Sequence, residues 1–468
     1  MVSCSKKHLT FQEKEIAILR EAIDKVEKTT GKKIVNTPEV QKMIYILEDF
    51  LRKKKLICYG GTAINNILPI QEQFYDKDIE IPDYDFFSPN ALSDAKELAD
   101  LYVNAGFEEV EAKSGMHYGT YKVFVNFIPI ADITFLTPKI FKSISKEAIK
   151  VDNIYYAPPN YLRMAMYLEL SRPAGDVSRW EKVLKRLILL NKNYPLKAND
   201  CESIDFIRNF DVKDKNINKI YKIVRQSFID QGVVFFGGYA SSLYGKYMPK
   251  YQKKQISKIP DFDVLSENPQ RSAVIVKERL IDNGIKNVSI IKRDGIGEII
   301  APHYEVKVNK ETIAFIYEPI ACHSYNVINI KGRKIRIATI DTMLSFYLAF
   351  IYADRAYYDK DRILCMAEYL FKVQAKNRLE QKGLLKRFSI NCYGEQETME
   401  SIRANKTKKY KELRDKKNSK EYEEYFLRYT PSTKTKTKTK SKSKSRKSRT
   451  TKKISLKPKI KKILNIEI

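Results

Sequence analysis

The 468-residue chain has little of what zinc and redox chemistry use most, with six cysteines and four histidines. The cysteines are scattered and form no C-x-x-C pair, so neither a structural zinc site nor a disulfide framework is expected, and a reducing compartment fits. Long hydrophobic runs are also missing. No stretch reaches the roughly 18 apolar residues of a membrane span, and the longest candidate, 343–352, reads as a buried helix. The opening Met1-Val2-Ser3-Cys4-Ser5-Lys6-Lys7 lacks the apolar core of a signal peptide. Acidic residues are scarce: 57 Asp and Glu face 86 Lys and Arg, a net charge of +29. Residues 432–462 hold 15 of the basic residues and no acidic one, which leaves +14 on the rest. A polyanion partner, most simply nucleic acid, follows from that balance; a basic surface kept for solubility is the competing reading.

The chain does contain one arrangement twice. Cys58-Tyr59-Gly60-Gly61-Thr62-Ala63 is followed by Pro82-Asp83-Tyr84-Asp85 and then Ala131-Asp132-Ile133-Thr134. Phe235-Phe236-Gly237-Gly238-Tyr239-Ala240 is followed by Pro260-Asp261-Phe262-Asp263 and then Ala314-Phe315-Ile316-Tyr317. Gly61 lies 22 residues before Asp83, and Gly238 lies 23 before Asp261. The segments 125–134 and 308–317 align without a gap, which sets Phe315 where Asp132 stands. One copy therefore has three carboxylates and the other two.

The surrounding pattern is α+β, with two tandem units related by a long repeat. Residues 1–55 form a helical N-terminal region, with apolar Ile16, Ile18, Leu19, Ile23 and Val26 at helical spacing and Thr37-Pro38-Glu39 as a second start signal. Residues 56–195 read as strand, Gly-Gly, helix and further strands closing in helices. Residues 196–375 restart that order, 376–429 form a basic helical segment, and 430–468 form a Lys/Ser/Thr-rich tail too polar to fold. The basic run with Lys250, Lys253 and Lys254 lies between the second Gly-Gly and its aspartates. It is a candidate RNA path or a solvated loop.

Asp83 and Asp85 alternate on a strand and so share a face, which Asp132 can join from a neighbouring strand. Three hard oxygen donors suit magnesium or manganese; such a site would take two ions about 3.5–4 Å apart, clamping a phosphoryl displacement. Gly60 and Gly61 permit close approach of a phosphate to the backbone, Thr62 adds a hydroxyl, and the following helix start offers free N–H groups. In this order the pieces resemble the nucleotidyltransferase motif GG[ST]…DxD…D, of the polymerase-beta-like kind. The second unit is expected to be degenerate, because phenylalanine cannot ligate a metal and Tyr239 replaces Thr62. A second centre recruiting Glu305, Glu311 or Glu318 is the alternative.

A complete unit followed by a degenerate one resembles the poly(A) polymerase catalytic subunits of large cytoplasmic DNA viruses. Ser171-Arg172-Pro173-Ala174-Gly175-Asp176-Val177-Ser178-Arg179-Trp180-Glu181-Lys182, Gly60-Gly61-Thr62-Ala63 and Asp83-Tyr84-Asp85-Phe86 carry the likeness, which spans roughly residues 40–375. It implies template-independent transfer of AMP from ATP to an RNA 3′ end. Asp83 and Asp85 would bind both metals, Asp132 the one that activates the primer hydroxyl, and Gly60, Gly61 and Thr62 the triphosphate. Arg179 and Lys182, with Lys185 beside them, are candidates for phosphate or RNA contact, or form the charged face of an amphipathic helix. Trp180 is expected in the core, with base stacking as the alternative, and the recurring His117-Tyr118 and His303-Tyr304 are expected to share a structural role. The likeness further implies a cytoplasmic or virion location and a homodimer or viral processivity subunit as partner. Uridylyl-, CCA- or oligoadenylate-type transferases, and a non-catalytic RNA-binding protein, are the other readings.

Overall fold

In the computed structural model the described residues are 10–76, 78–201, 216–248, 261–297 and 299–431. Lys250, Lys253, Lys254 and the tail from 432 onward lie outside them.

Alternating apolar residues build two sheets of eight strands among the described residues. The first uses β1 (Ile57–Tyr59), β2 (Tyr84–Ser88), β3 (Val110–Ser114), β4 (Thr120–Val125), β5 (Ile128–Phe135), β6 (Ile149–Val151) and β7 (Ile154–Tyr156). The second uses β8 (Val234–Phe235), β9 (Phe262–Leu265), β10 (Val288–Arg293), β11 (His303–Val308), β12 (Glu311–Tyr317), β13 (His323–Ile330), β14 (Arg333–Ala338) and β15 (Cys392–Tyr393). β16 (Arg428–Tyr429) returns to the outer edge of the first sheet. The strand orders are β16-β3-β4-β5-β2-β1-β7-β6 and β10-β11-β12-β9-β8-β14-β13-β15. Without the edge strands β16 and β15 they are the same order, in the same directions: β5 runs parallel to β2 as β12 does to β9, and β7 to β1 as β14 to β8. The gap-free alignment extends to detail. Pairing slips between Val123 and Phe124 on β4, and between Val306 and Lys307 on β11, at aligned positions.

α1 (Phe11–Val35) and α2 (Pro38–Lys54) precede the first sheet. Thr37 caps α2 by accepting from the Val40 N–H at 3.4 Å, with Pro38 in the first turn as the sequence predicts. α3 (Gly60–Ile67), α4 (Ala91–Asn104), α5 (Pro138–Ser145), α6 (Pro159–Leu170) and α7 (Trp180–Asn193) belong to the first unit. α8 (Ile217–Asp230), α9 (Gly238–Tyr244), α10 (Pro269–Asp282), α11 (Ile340–Ile351) and α12 (Lys360–Lys376) belong to the second. α6 follows β7 as α11 follows β14, and these equivalent helices pack against each other. Tyr161 of α6 meets Tyr352 edge-on at 5.4 Å, and the Ser324 N–H donates to the Ser171 carbonyl at 2.8 Å. The apolar side chains of both units form one continuous core.

The basic stretch 376–429 is not a single helix. It holds α13 (Met399–Leu413) and α14 (Lys420–Phe426) and then β16, which pairs Tyr429 with Ala112 and Arg428 with Lys113. Lys96–Glu423 at 2.7 Å and the hydrogen bond from the Tyr118 hydroxyl to Glu424 at 3.0 Å fasten it to the first unit. The cysteine reading also fails. Cys201 and Cys365 have Cα atoms 5.5 Å apart, Cys322 and Cys392 5.0 Å apart, and both pairs are disulfides. Partners 164 and 70 residues apart are joined by the tertiary fold, beyond any spacing rule, and the argument for a reducing compartment lapses. Among the described residues no helix is long and apolar enough to cross a membrane.

The two His-Tyr pairs do not coincide. His303 opens β11 and is buried, whereas His117 lies exposed in the turn before β4; Thr120 is the residue aligned with His303. Burial lowers the His303 imidazole to about 4 and the His323 imidazole to about 3. His323 packs against Phe346 at 5.0 Å. Both histidines are neutral in the fold and bind protons in the unfolded chain below the ordinary histidine range, so stability is full above that range and falls as pH drops toward 4. Each contributes a slope of about 1.4 kcal/mol per pH unit there. Denaturant titrations across that interval should give a shallower pH slope for His323→Phe than for wild type; an unchanged slope would refute this account.

Candidate active site

β1 ends at Tyr59, and the chain turns through Gly60 into α3. Gly60 has φ +75°, and a Cβ there would stand 2.7 Å from Oδ2 of Asp85, so the turn needs glycine on both counts. The Thr62 hydroxyl is buried and donates to the Asp83 carbonyl at 2.6 Å, tying the turn to the aspartate strand. Asp83 stands just before β2, Asp85 within it, and Asp132 lies directly opposite Asp85 on the parallel β5. The three aspartates singled out from the sequence thus come together beside the Gly-Gly turn.

Their electrostatics are those of crowded like charges. Burial first, then Asp83 and Asp132, pushes the Asp85 carboxyl up to about 7, with Lys122 and Arg179 acting against the shift. Asp83 remains open to water at the lip, yet desolvation by the surrounding protein and the charge of Asp132 still raise it; Lys122 and Lys182 oppose. Such a set of partly buried oxygen donors fits a divalent cation, whose charge relieves the repulsion. Among the described residues no three acidic, histidine or cysteine side chains are already closed around a common point, and Asp132 is drawn to Lys122 by an ion pair.

Arg179 forms an ion pair with Glu169 at 3.2 Å, and Lys182 is exposed one turn further on. Lys185 points elsewhere and pairs with Glu181 at 2.5 Å. Trp180 is half-buried against the core, its indole N–H donating to the Glu169 carbonyl at 3.0 Å.

Two residues of the site escaped the sequence reading. Lys122 sits opposite Asp132 on β4, a cross-strand position visible once the hairpin register is known. Arg186, on α7 four residues after Lys182, reaches the glycine turn: a Cβ on Gly61 would lie 3.0 Å from both terminal guanidinium nitrogens and 2.7 Å from the Tyr75 hydroxyl. The guanidinium donates to that hydroxyl and lies over the Phe74 ring at 5.0 Å. The helical i, i+3, i+7 face running from Arg179 through Lys182 to Arg186 was the available signal.

The second unit keeps the backbone and fills the site. Asp263 presses on Gly237, and the Tyr239 N–H donates to the Asp261 carbonyl at 3.2 Å, echoing Thr62. The Tyr239 ring turns into the core, where its hydroxyl accepts from Arg225 at 2.8 Å. Phe315, opposite Asp263, is fully buried and stacks on Tyr357 at 5.2 Å. Glu305 faces Phe315 from β11, but its carboxyl accepts from Thr312 at 2.5 Å and from Arg293 at 2.5 Å. Against the burial that would raise it, those contacts hold it below the usual carboxylate range. Glu311 and Glu318 are exposed at the two ends of β12.

A strand–Gly-Gly–helix turn beside three clustered aspartates defines a nucleotidyltransferase-like unit, followed here by a second copy of the fold that keeps two of the three aspartates. Comparison with known proteins narrows that class. The sequence model of the family described as poly(A) polymerase catalytic subunit matches residues 45–176. A protein named as a poly(A) polymerase catalytic subunit from African swine fever virus (strain Badajoz 1971 Vero-adapted) is 32% identical over 201 residues, 42% of each chain. The matched region thus spans less than half the length of that relative. One of the same name from Acanthamoeba polyphaga mimivirus is 24% identical over 402 residues, 76% of this chain and 67% of that one. The crystal structure of the Megavirus polyadenylate synthase superposes with a TM-score of 0.73 at 20% identity, covering 88% of this chain and 86% of that one. This chain has that fold, and its sequence likeness to viral poly(A) polymerase catalytic subunits is borne out.

Proposed function

We propose that the chain is a polynucleotide adenylyltransferase that adds AMP from ATP to RNA 3′ ends and so builds poly(A) tails. The reading rests on one observation: three aspartates converge beside a glycine turn in the first unit, while the equivalent position in the second is a buried phenylalanine. Asp83, Asp85 and Asp132 would hold two magnesium or manganese ions, which supply Lewis-acid stabilisation of the attacking and leaving oxygens. The turn at Gly60 and Gly61, the start of α3 and the Arg186 guanidinium form a cradle for the triphosphate. Arg179 and Lys182 add positive charge at its rim. The primer 3′-oxygen forms a bond to the α-phosphorus as the bond to pyrophosphate breaks, and the hydroxyl proton passes to solvent. The second unit serves as scaffold and carries no reaction. RNA and ATP are the partners, with a further subunit or second copy for processivity, and the host cytoplasm, its viral factory and the virion are the proposed locations.

Extension of a short labelled RNA with each ribonucleotide offered separately, in magnesium or manganese, tests the proposal. Long tails are expected with ATP and at most a few additions with the others. Equal or better extension with UTP would make the chain a different terminal transferase. Absence of extension under every condition would favour an RNA-binding role.

A further inference from the structure

The sheet face that carries the aspartates continues past them. Thr134 lies two residues beyond Asp132 on β5, Phe87 two beyond Asp85 on β2, and Thr120 two before Lys122 on β4; the register sets them side by side. Side chains two apart on a strand share a face, so this row stands roughly 6.5 Å from the aspartates on the same surface. Tyr59, opposite Asp85 on β1, leans over it. Its ring stacks on Phe87 with centroids 3.9 Å apart, and its hydroxyl reaches across β2 to the Thr134 hydroxyl at 2.8 Å. The Thr120 hydroxyl meets that of Thr134 at 3.1 Å from the other side. With one hydrogen and two lone pairs, the Thr134 hydroxyl keeps room for a third partner. Tyr59, Thr134 and Thr120 are all partly open to water.

The second unit lacks both the third aspartate and this row. Phe236 stands for Tyr59, Tyr317 for Thr134 and His303 for Thr120. All three are at most 1% exposed, and they pack on one another, Phe236 with Tyr317 at 5.4 Å and Tyr317 with His303 at 4.5 Å. The fold therefore has no need of open hydroxyls at these positions. They accompany Asp132, and where Phe315 replaces it the same face is closed into core.

We propose, resting on the adenylyltransferase reading, that Tyr59, Thr134 and Thr120 form the site for the 3′-terminal ribose of the primer. The triphosphate cradle lies on the β1 side of Asp85, at the glycine turn and Arg186, so the primer hydroxyl comes to Asp132 from the β5 and β4 side. The sugar bearing that hydroxyl lies over Thr134, whose hydroxyl bonds the 2′-hydroxyl on the neighbouring ring carbon. Tyr59 and Thr120 hold the Thr134 hydroxyl in place. Because the 2′-hydroxyl is what separates RNA from DNA, the row selects an RNA end over a DNA end.

Two short RNA primers that differ only in the last sugar, ribose or 2′-deoxyribose, test this. The readout is kcat/KM for the first AMP added, since both ends are ribose after that addition. Wild type is expected to favour the ribose end about tenfold or more. Thr134→Val should bring the ratio to about one by slowing the ribose-ended primer alone, and Thr134→Ser should keep most of it. A structural lesion slows both primers alike and leaves the ratio unmoved. Tyr59→Phe keeps the ring on Phe87 and should lower the ratio in the same direction, which serves if Thr134→Val does not fold. Equal use of the two primers by wild type, or wild-type discrimination in the folded variants, would overturn the proposal. Failure of the adenylyltransferase reading looks different, because neither primer is then extended. Competition binding of the two primers decides the row in that case: a tighter ribose end, weakened by Thr134→Val, supports it, and equal binding refutes it.

Discussion

Asp83→Ala/Asp85→Ala is expected to abolish RNA extension, with a loss of about 10³-fold or more, since metal-borne charge stabilisation is worth several kcal/mol and each 1.36 kcal/mol is a factor of ten. Asp261→Ala/Asp263→Ala should leave the rate within about threefold, the scale of a small indirect effect on packing. The contrast follows from the third position. In the first unit Asp132 faces Asp85 across β2 and β5; in the second Phe315 faces Asp263 and is stacked on Tyr357. Asp261 and Asp263 are nonetheless built into their turn through backbone hydrogen bonds to Tyr239, Phe236 and Gly237. Melting temperature must therefore be measured alongside rate. Extension lost only in the first double mutant, with both proteins folded, establishes one working centre. Comparable loss in both at unchanged stability would mean that the second unit takes part in the reaction.

A single isosteric substitution bears on the aspartates' electrostatics. The folded-state pKa of Asp85 is raised to about 7, so its ionisation opposes folding once pH exceeds the ordinary carboxylate range. Without added metal, the Asp85→Asn protein is expected to melt higher than wild type at pH 8, and the gain should shrink toward pH 4. A lower melting temperature for Asp85→Asn at pH 8 would contradict the crowding described for the three carboxylates.

What the sequence displayed was local or repeated. The Gly-Gly turns, the paired aspartates and the gap between them are short-range patterns, and duplication made each copy a check on the other. That is why the alignment of 125–134 with 308–317 set Phe315 against Asp132 before the register of β5 and β12 was known. What it hid was long-range. Nothing near Cys322 announces Cys392, and nothing in the basic run before Tyr429 announces an edge strand on β3. Periodicity identified α1 as a helix but could not say that its apolar face misses the core, because the same spacing serves a core stripe and an exposed one. The His-Tyr pairs misled for the opposite reason: a two-residue match is short enough to recur out of register, three positions from true alignment. Lys122 and Arg186 reach the site only through strand pairing and a helix crossing, so a motif search passes over them.

Arg186 supports the second large prediction. Among the described residues no carboxylate pairs with its guanidinium, which is held instead by the Tyr75 hydroxyl and the face of Phe74. It lies so close to the Gly61 backbone that even a methyl group there would touch it. A cation held by a hydroxyl and a ring face and by no ion pair among the described residues, at a glycine turn opening a helix, is arranged to receive an anion, and the triphosphate of ATP is the anion the proposed reaction brings. Hydrogen bonds to charged groups are worth about 1.5–3 kcal/mol, so Arg186→Ala should lower kcat/KM for ATP about 10- to 100-fold. The KM for RNA should change little, and Arg186→Lys should recover part of the loss, since a lysine restores the charge without the planar fork. Because Arg186 also braces Phe74 and Tyr75, a purely structural effect has to be separated from a binding one. Thermal stabilisation by inorganic tripolyphosphate does so. Wild type should be stabilised, Arg186→Lys less so and Arg186→Ala not at all. If Arg186→Ala melts lower than wild type yet responds equally to tripolyphosphate, the guanidinium braces the loop at Phe74 and Tyr75 and does not bind the nucleotide.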